Sequence, residues 1–176
     1  MIDFSQNYFA LFGLPPRYRF DPARLDAAYR ALQTQVHPDR FAAADESERR
    51  LALQSSARVN EAYRALKDPV GRAQYLLSLH GVDATSETDT ALPLDFLERQ
   101  LERREAVDEA RSAGQTGRLE ALLAEVRAEI AALEPALADT LDNERSWESA
   151  RAGVRELQFL SKLAADIDAA IGGIDD

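Results

Sequence analysis

The 176-residue chain contains no cysteine, which excludes disulfides, thiolate metal ligands and a thiol nucleophile. It has only two histidines, too few nitrogen donors for an ordinary zinc site. No apolar run approaches the ~20 residues that a membrane-spanning helix needs. Met1-Ile2-Asp3-Phe4 lacks the basic and apolar regions of a secretion signal, so a cytoplasmic protein is expected. There is no Gly-rich phosphate loop and no Gly-x-Ser-x-Gly elbow. No segment carries the period-two alternation of a strand. These absences point away from an enzyme and from a metal or cofactor carrier.

What the chain does contain is helix-forming material. Hydrophobic residues make up 45% and charged residues 30% of it, with Ala, Leu, Glu and Arg recurring throughout. The net charge of −10 is unevenly spread. Residues 1–76 carry 11 Lys+Arg against 9 Asp+Glu, whereas residues 77–176 carry 10 against 22. Such asymmetry suggests two modules with different partners, although an acidic half also serves plain solubility. An acidic module repels nucleic acid, and neither a nucleic-acid nor a membrane partner is expected.

The apolar spacing predicts an all-helical chain. A short helix covers Asn7–Phe12 and stops at Gly13. Asp21-Pro22 reads as an N-cap followed by proline at the first helical position. The helix after it places Leu25, Ala28, Tyr29, Leu32 and Val36 on one face, and Pro38 ends it. Asp45-Glu46-Ser47-Glu48 resembles a capping box for a third helix with Val59, Ala62, Tyr63 and Leu66 inward. A fourth, Gly71–Leu79, closes the first module. Residues 81–92 read as a polar linker. Beyond it, a helix opens at Pro93 and runs to about Ser112. A second carries Leu119, Leu122, Leu123, Val126, Ile130, Leu133, Leu137 and Leu141, with a kink or break expected at Pro135. A third, about Trp147–Ile171, turns Val154, Leu157, Leu160, Ala164, Ile167 and Ile171 inward. Short connections make these three an antiparallel bundle. The expected domains are therefore 1–80, a linker at 81–92 and a bundle at 93–176.

The chemistry-bearing motif is His37-Pro38-Asp39, between two helices. Pro38 fixes φ and removes a backbone donor, so the turn has fewer conformations to lose on docking. Asp39 offers a carboxylate to a partner arginine, and His37 one more hydrogen bond. Arg24, Arg30 and Arg40 are placed to steer docking onto an acidic surface. Without its surroundings the tripeptide is only a helix-terminating turn. With them the first module resembles a J domain. The segments Tyr8-Phe9-Ala10-Leu11-Phe12-Gly13-Leu14-Pro15, His37-Pro38-Asp39-Arg40-Phe41 and Arg72-Ala73-Gln74-Tyr75-Leu76-Leu77-Ser78-Leu79-His80-Gly81 resemble the HscB family of iron–sulfur co-chaperones. Asp95-Phe96-Leu97, Leu141-Asp142-Asn143-Glu144 and Phe159-Leu160-Ser161-Lys162-Leu163 extend that resemblance over nearly the whole chain.

The resemblance implies a J domain that docks on the DnaK-type ATPase chaperone HscA, through His37, Pro38, Asp39, Arg30 and Arg40, and stimulates its ATP hydrolysis. It implies a C-terminal bundle that binds the scaffold protein IscU at Leu97, Glu98, Leu101, Glu102, Glu105, Glu109 and Phe159. Lacking cysteine, the chain would handle the scaffold rather than carry a cluster itself. Glu98 stands where better-known members place an apolar residue, and Pro135 is unusual for the family's middle helix. The residues themselves leave two readings open. Leu97 and Leu101 form either an apolar anchor with an acidic rim or part of the bundle core. Phe159, roughly 120° from the centre of its helix's inward stripe, is expected to be exposed. The alternatives to an iron–sulfur co-chaperone are a J protein serving another client and a plain helical adaptor.

Overall fold

The computed structural model describes residues 3–41, 43–84 and 92–175. Among them there is no strand, and the chain divides into two compact units, Met1–Leu79 and His80–Asp176. Most of the expected 81–92 linker, residues 85–91, lies outside the described residues.

The first unit holds α1 (Tyr8–Leu11), α2 (Pro22–Val36), a 3-10 turn (Pro38–Phe41), α3 (Glu46–Lys67) and α4 (Pro69–Leu79). Its starts follow from side-chain caps. Asn7, Asp21 and Asp45 each accept a backbone N–H of the following turn, at 2.9, 2.9 and 2.8 Å. α4 begins two residues before the expected Gly71, because Asp68 accepts the Gly71 N–H at 2.7 Å and Pro69 sits first in the helix. α2 and α3 pair antiparallel. Lys67 donates to Asp26 at 2.7 Å, the Tyr29 and Tyr63 rings stack at 3.9 Å, and Tyr29 donates to Asn60 at 2.9 Å. Phe9, Leu25, Val59, Leu66, Ala73 and Leu77 fill the core between the helices.

The second unit packs α5 (Leu94–Ser112), α6 (Thr116–Asp139) and α7 (Trp147–Asp175). The ion pairs Arg103–Glu129 and Arg118–Glu109 show that α5 and α6 run antiparallel, and Arg127–Asp168 together with the approach of Gly153 to Leu137 shows the same for α6 and α7. Phe96, Val107, Leu119, Val126, Leu160, Leu163 and Ile167 form the core. Gly153 lets α7 close on α6, since a Cβ there would lie 3.3 Å from Leu137 Cδ1.

The expected break at Pro135 does not occur. α6 runs through it to Asp139, with the exposed Pro135 ring on the solvent side and Leu137 and Ala138 buried beyond it. Packing of the following turn outweighs the donor that proline lacks. The irregularity comes later, as a π-type turn over Thr140–Glu144 ended by Arg145 at φ 53°. Pro135→Ala is therefore expected to restore a helix donor without repacking the core and to stabilise the protein by about 1–3 kcal/mol. A higher urea midpoint at unchanged m-value would show it; a lower midpoint would mean that proline fits this helix better than alanine.

Candidate functional site

α2 ends where its sequence requires. Val36 is buried, His37 is the C-cap at φ −58°, ψ 127°, and the chain turns at once into the 3-10 segment. The turn is braced from within. The Arg40 guanidinium donates to the Thr34 carbonyl at 3.0 Å, satisfying one of the acceptors that the end of α2 leaves open. The Asp39 N–H donates to His37 Nδ1 at 3.3 Å. The Asp39 carboxylate itself lies 3.5 Å from His37 Nδ1 and is 90% exposed. It is thus a carboxylate held by a short, internally bonded turn and open to a partner. Arg30 and Arg24 are exposed on α2, and Arg30 joins no ion pair among the described residues. Arg40 has a structural duty as well as an exposed position, which the sequence alone did not reveal.

The second cluster lies on α5. Phe96, Gln100, Val107 and Ala110 point inward. Leu97 and Leu101 point outward, 38% and 61% exposed, so they are not bundle core. Glu98, Glu102, Glu105 and Glu109 are all exposed around them. Three of these four carboxylates are outside any ion pair among the described residues; Glu109 meets Arg118 at 3.3 Å. Leu94 was not foreseen. It is 71% exposed and sits one turn before Leu97, extending the apolar strip. The i, i+3 spacing was its only signal.

Phe159 corrects an expectation. It is half-buried rather than exposed, packed against the bundle core. Its ring meets Phe96 edge-on at 5.7 Å, and the Arg104 guanidinium covers it at 4.9 Å. A single inward stripe describes α7 poorly because the helix packs against α5 as well as α6, and Phe159 lies on the α5 side.

Among the described residues no three His, Cys, Asp or Glu side chains gather as metal ligands. No helix there is long and apolar enough to cross a membrane. What the two clusters can do is bind proteins: one with a charged turn, the other with leucines set among carboxylates.

Comparison with known proteins gives these clusters a context. Residues 7–75 match the DnaJ domain, and residues 92–168 match the HSCB C-terminal oligomerisation domain. The chain is 46% identical over 174 residues to the co-chaperone protein HscB homolog of Azoarcus sp. (strain BH72), covering 99% of this chain and 98% of that one. Chaperone HscB from Vibrio cholerae superposes with a TM-score of 0.84 at 35% identity, covering 96% of this chain and 99% of that one. Human co-chaperone HscB superposes with a TM-score of 0.87 at 27% identity, covering 96% and 83%. With a J-type turn in one unit, a leucine and glutamate face in the other and relatives matched along almost its whole length, the chain belongs to the HscB family of J-domain co-chaperones of iron–sulfur cluster assembly.

Proposed function

We propose that the chain binds the scaffold protein IscU through Leu97, Glu98, Leu101, Glu102, Glu105, Glu109 and Phe159 and delivers it to HscA. Through His37, Pro38, Asp39, Arg30 and Arg40 it stimulates HscA's ATP hydrolysis. The domain division that goes with this reading is a J domain over 1–80, a linker over 81–92 and a scaffold-binding bundle over 93–176. In this reading the protein works in the cytoplasm, catalyses no reaction of its own and holds no resident cofactor. The cluster is cargo of the scaffold.

The observation that carries the reading is the exposure of Leu97 and Leu101 among carboxylates on α5. Two leucines facing solvent beside a row of carboxylates bury little within the folded chain. They suit a partner that is apolar at its centre and basic around it. Phe159 contributes on the same reading through the part of its ring that stays accessible.

The two sites act on one ternary complex, so their effects should be coupled, by a free energy of about 1–3 kcal/mol. The test is single-turnover ATP hydrolysis by HscA with this protein, with and without IscU. Stimulation greater than the sum of the separate effects supports the reading. Stimulation indifferent to IscU means a J protein with another client, and no stimulation means that the turn does not dock on this chaperone.

A further inference from the structure

Arg104 differs from its neighbours on α5. Arg99 reaches Asp95 and Glu129, Arg103 reaches Glu129, and Arg111 reaches Asp108 at 3.4 Å. Arg104 joins no ion pair among the described residues, although the unit around it is strongly acidic. The reason lies in helical spacing. Asp108, the carboxylate one turn ahead, is engaged by Arg111, and the residue one turn back is the buried Gln100. The guanidinium of Arg104 instead lies over the Phe159 ring at 4.9 Å, a contact that restrains it, and the residue is exposed to solvent.

Its position is as informative as its lack of a partner. On a helical wheel Arg104 is about 20° from Leu97 and about 60° from Leu101, on the side toward α7. Immediately past it, between α5 and α7, lies a cleft of about 680 Å³ whose lining includes Arg104, Asp108, Arg111, Leu163, Asp166 and Gly173. The exposed leucines, Arg104 and this cleft therefore follow one another along a single strip of the surface.

We propose that Arg104 receives a carboxylate of the scaffold protein and so sets the register in which the scaffold lies on this face. The proposal deepens the scaffold-binding reading and rests on it. Glu98, Glu102, Glu105 and Glu109 attract a basic partner surface but do little to distinguish one alignment of it from another. A cation beside them that is restrained by an aromatic ring and joins no ion pair among the described residues does. A partner that is basic throughout is repelled at Arg104, whereas one that places an acid there gains a charge-assisted and geometrically suited bidentate pair. Stacking on Phe159 lowers the ordering cost, because the guanidinium is already positioned.

The sign of one substitution decides the matter. If Arg104 meets no carboxylate, removing its charge from an acidic face should leave binding of a basic partner unchanged or make it tighter. If it does, Arg104→Gln should weaken binding about tenfold at low salt, and Arg104→Lys, which keeps the charge but not the fork, should fall between. The experiment is calorimetric titration of IscU into the full-length protein and its Arg104→Gln, Arg104→Lys and Leu101→Ala variants, with thermal melts of each. Weakening in the order Gln, then Lys, at unchanged melting supports the proposal. Unchanged or tighter binding of Arg104→Gln, with Leu101→Ala weakened, overturns it and leaves the scaffold-binding reading intact. Weakening matched by an equal loss in Arg104→Lys together with a lowered melting temperature also overturns it, as Arg104 is then only a brace for Phe159. If wild type does not bind IscU, or Leu101→Ala binds as well as wild type, the scaffold-binding reading fails and the proposal with it.

Discussion

Asp39→Asn is expected to abolish stimulation of the chaperone ATPase while scaffold binding stays at the wild-type level. The substitution keeps shape and removes one charge. In the free protein that charge does little: the carboxylate is 90% exposed, and among the described residues the one basic side chain beside it is His37, at 3.5 Å. The fold should therefore lose no more than about 0.5 kcal/mol, the range of ordinary surface changes. Against a partner guanidinium the same charge makes a desolvated, charge-assisted contact, and its removal costs about 2–5 kcal/mol. Such a loss weakens docking about thirtyfold or more, enough to erase stimulation at working concentrations. Single-turnover hydrolysis and a scaffold titration on the same variant separate the two effects. Concurrent loss of scaffold binding would mean that the two units are not independent sites.

Leu101→Ala is the complementary case. The side chain is 61% exposed, so truncation leaves no cavity in the bundle, and alanine is at least as good a helix former. Folded stability should hardly change. In a complex, however, the methyl groups removed would have been buried, for about 1–2 kcal/mol and a weakening of about tenfold. Leu97→Ala combined with it is expected to approach a hundredfold, since both leucines would leave the centre of the patch. Phe96→Ala is the control of opposite kind. Phe96 is 2% exposed, and its loss should melt the bundle by about 3–5 kcal/mol rather than act on binding alone. Circular dichroism and scaffold titration together tell these outcomes apart. A molten Leu101→Ala variant would show that the residue supports the core after all.

How much was legible before the coordinates depended on whether a feature is local. The helix starts at Asn7, Asp21 and Asp45 were readable because a capping carboxylate or amide acts within three residues. The His37-Pro38-Asp39 turn was readable for the same reason: proline stops a helix at the residue before it. Pro135 does not break α6, because its effect on the backbone is local and the outcome is not. Burial of Leu137 and Ala138 keeps α6 intact through the proline. Phe159 was misjudged because a one-stripe wheel treats α7 as having one neighbour, whereas it has two.

The sequence by itself determined the class of fold, the two modules, the turn that carries Asp39 and the family to which the chain belongs. Those rest on periodicity, caps and motif residues, whose physics is set within a few turns of chain. Only the tertiary structure decided which leucines of α5 face solvent, that Arg40 braces the end of α2, that Phe159 is half-buried, and that Arg104 joins no ion pair among the described residues. Each of these depends on which helices meet and which charges are already taken. Spacing along one helix cannot say where its neighbours lie, and it is the neighbours that leave Leu97 and Leu101 uncovered and Arg104 unpaired.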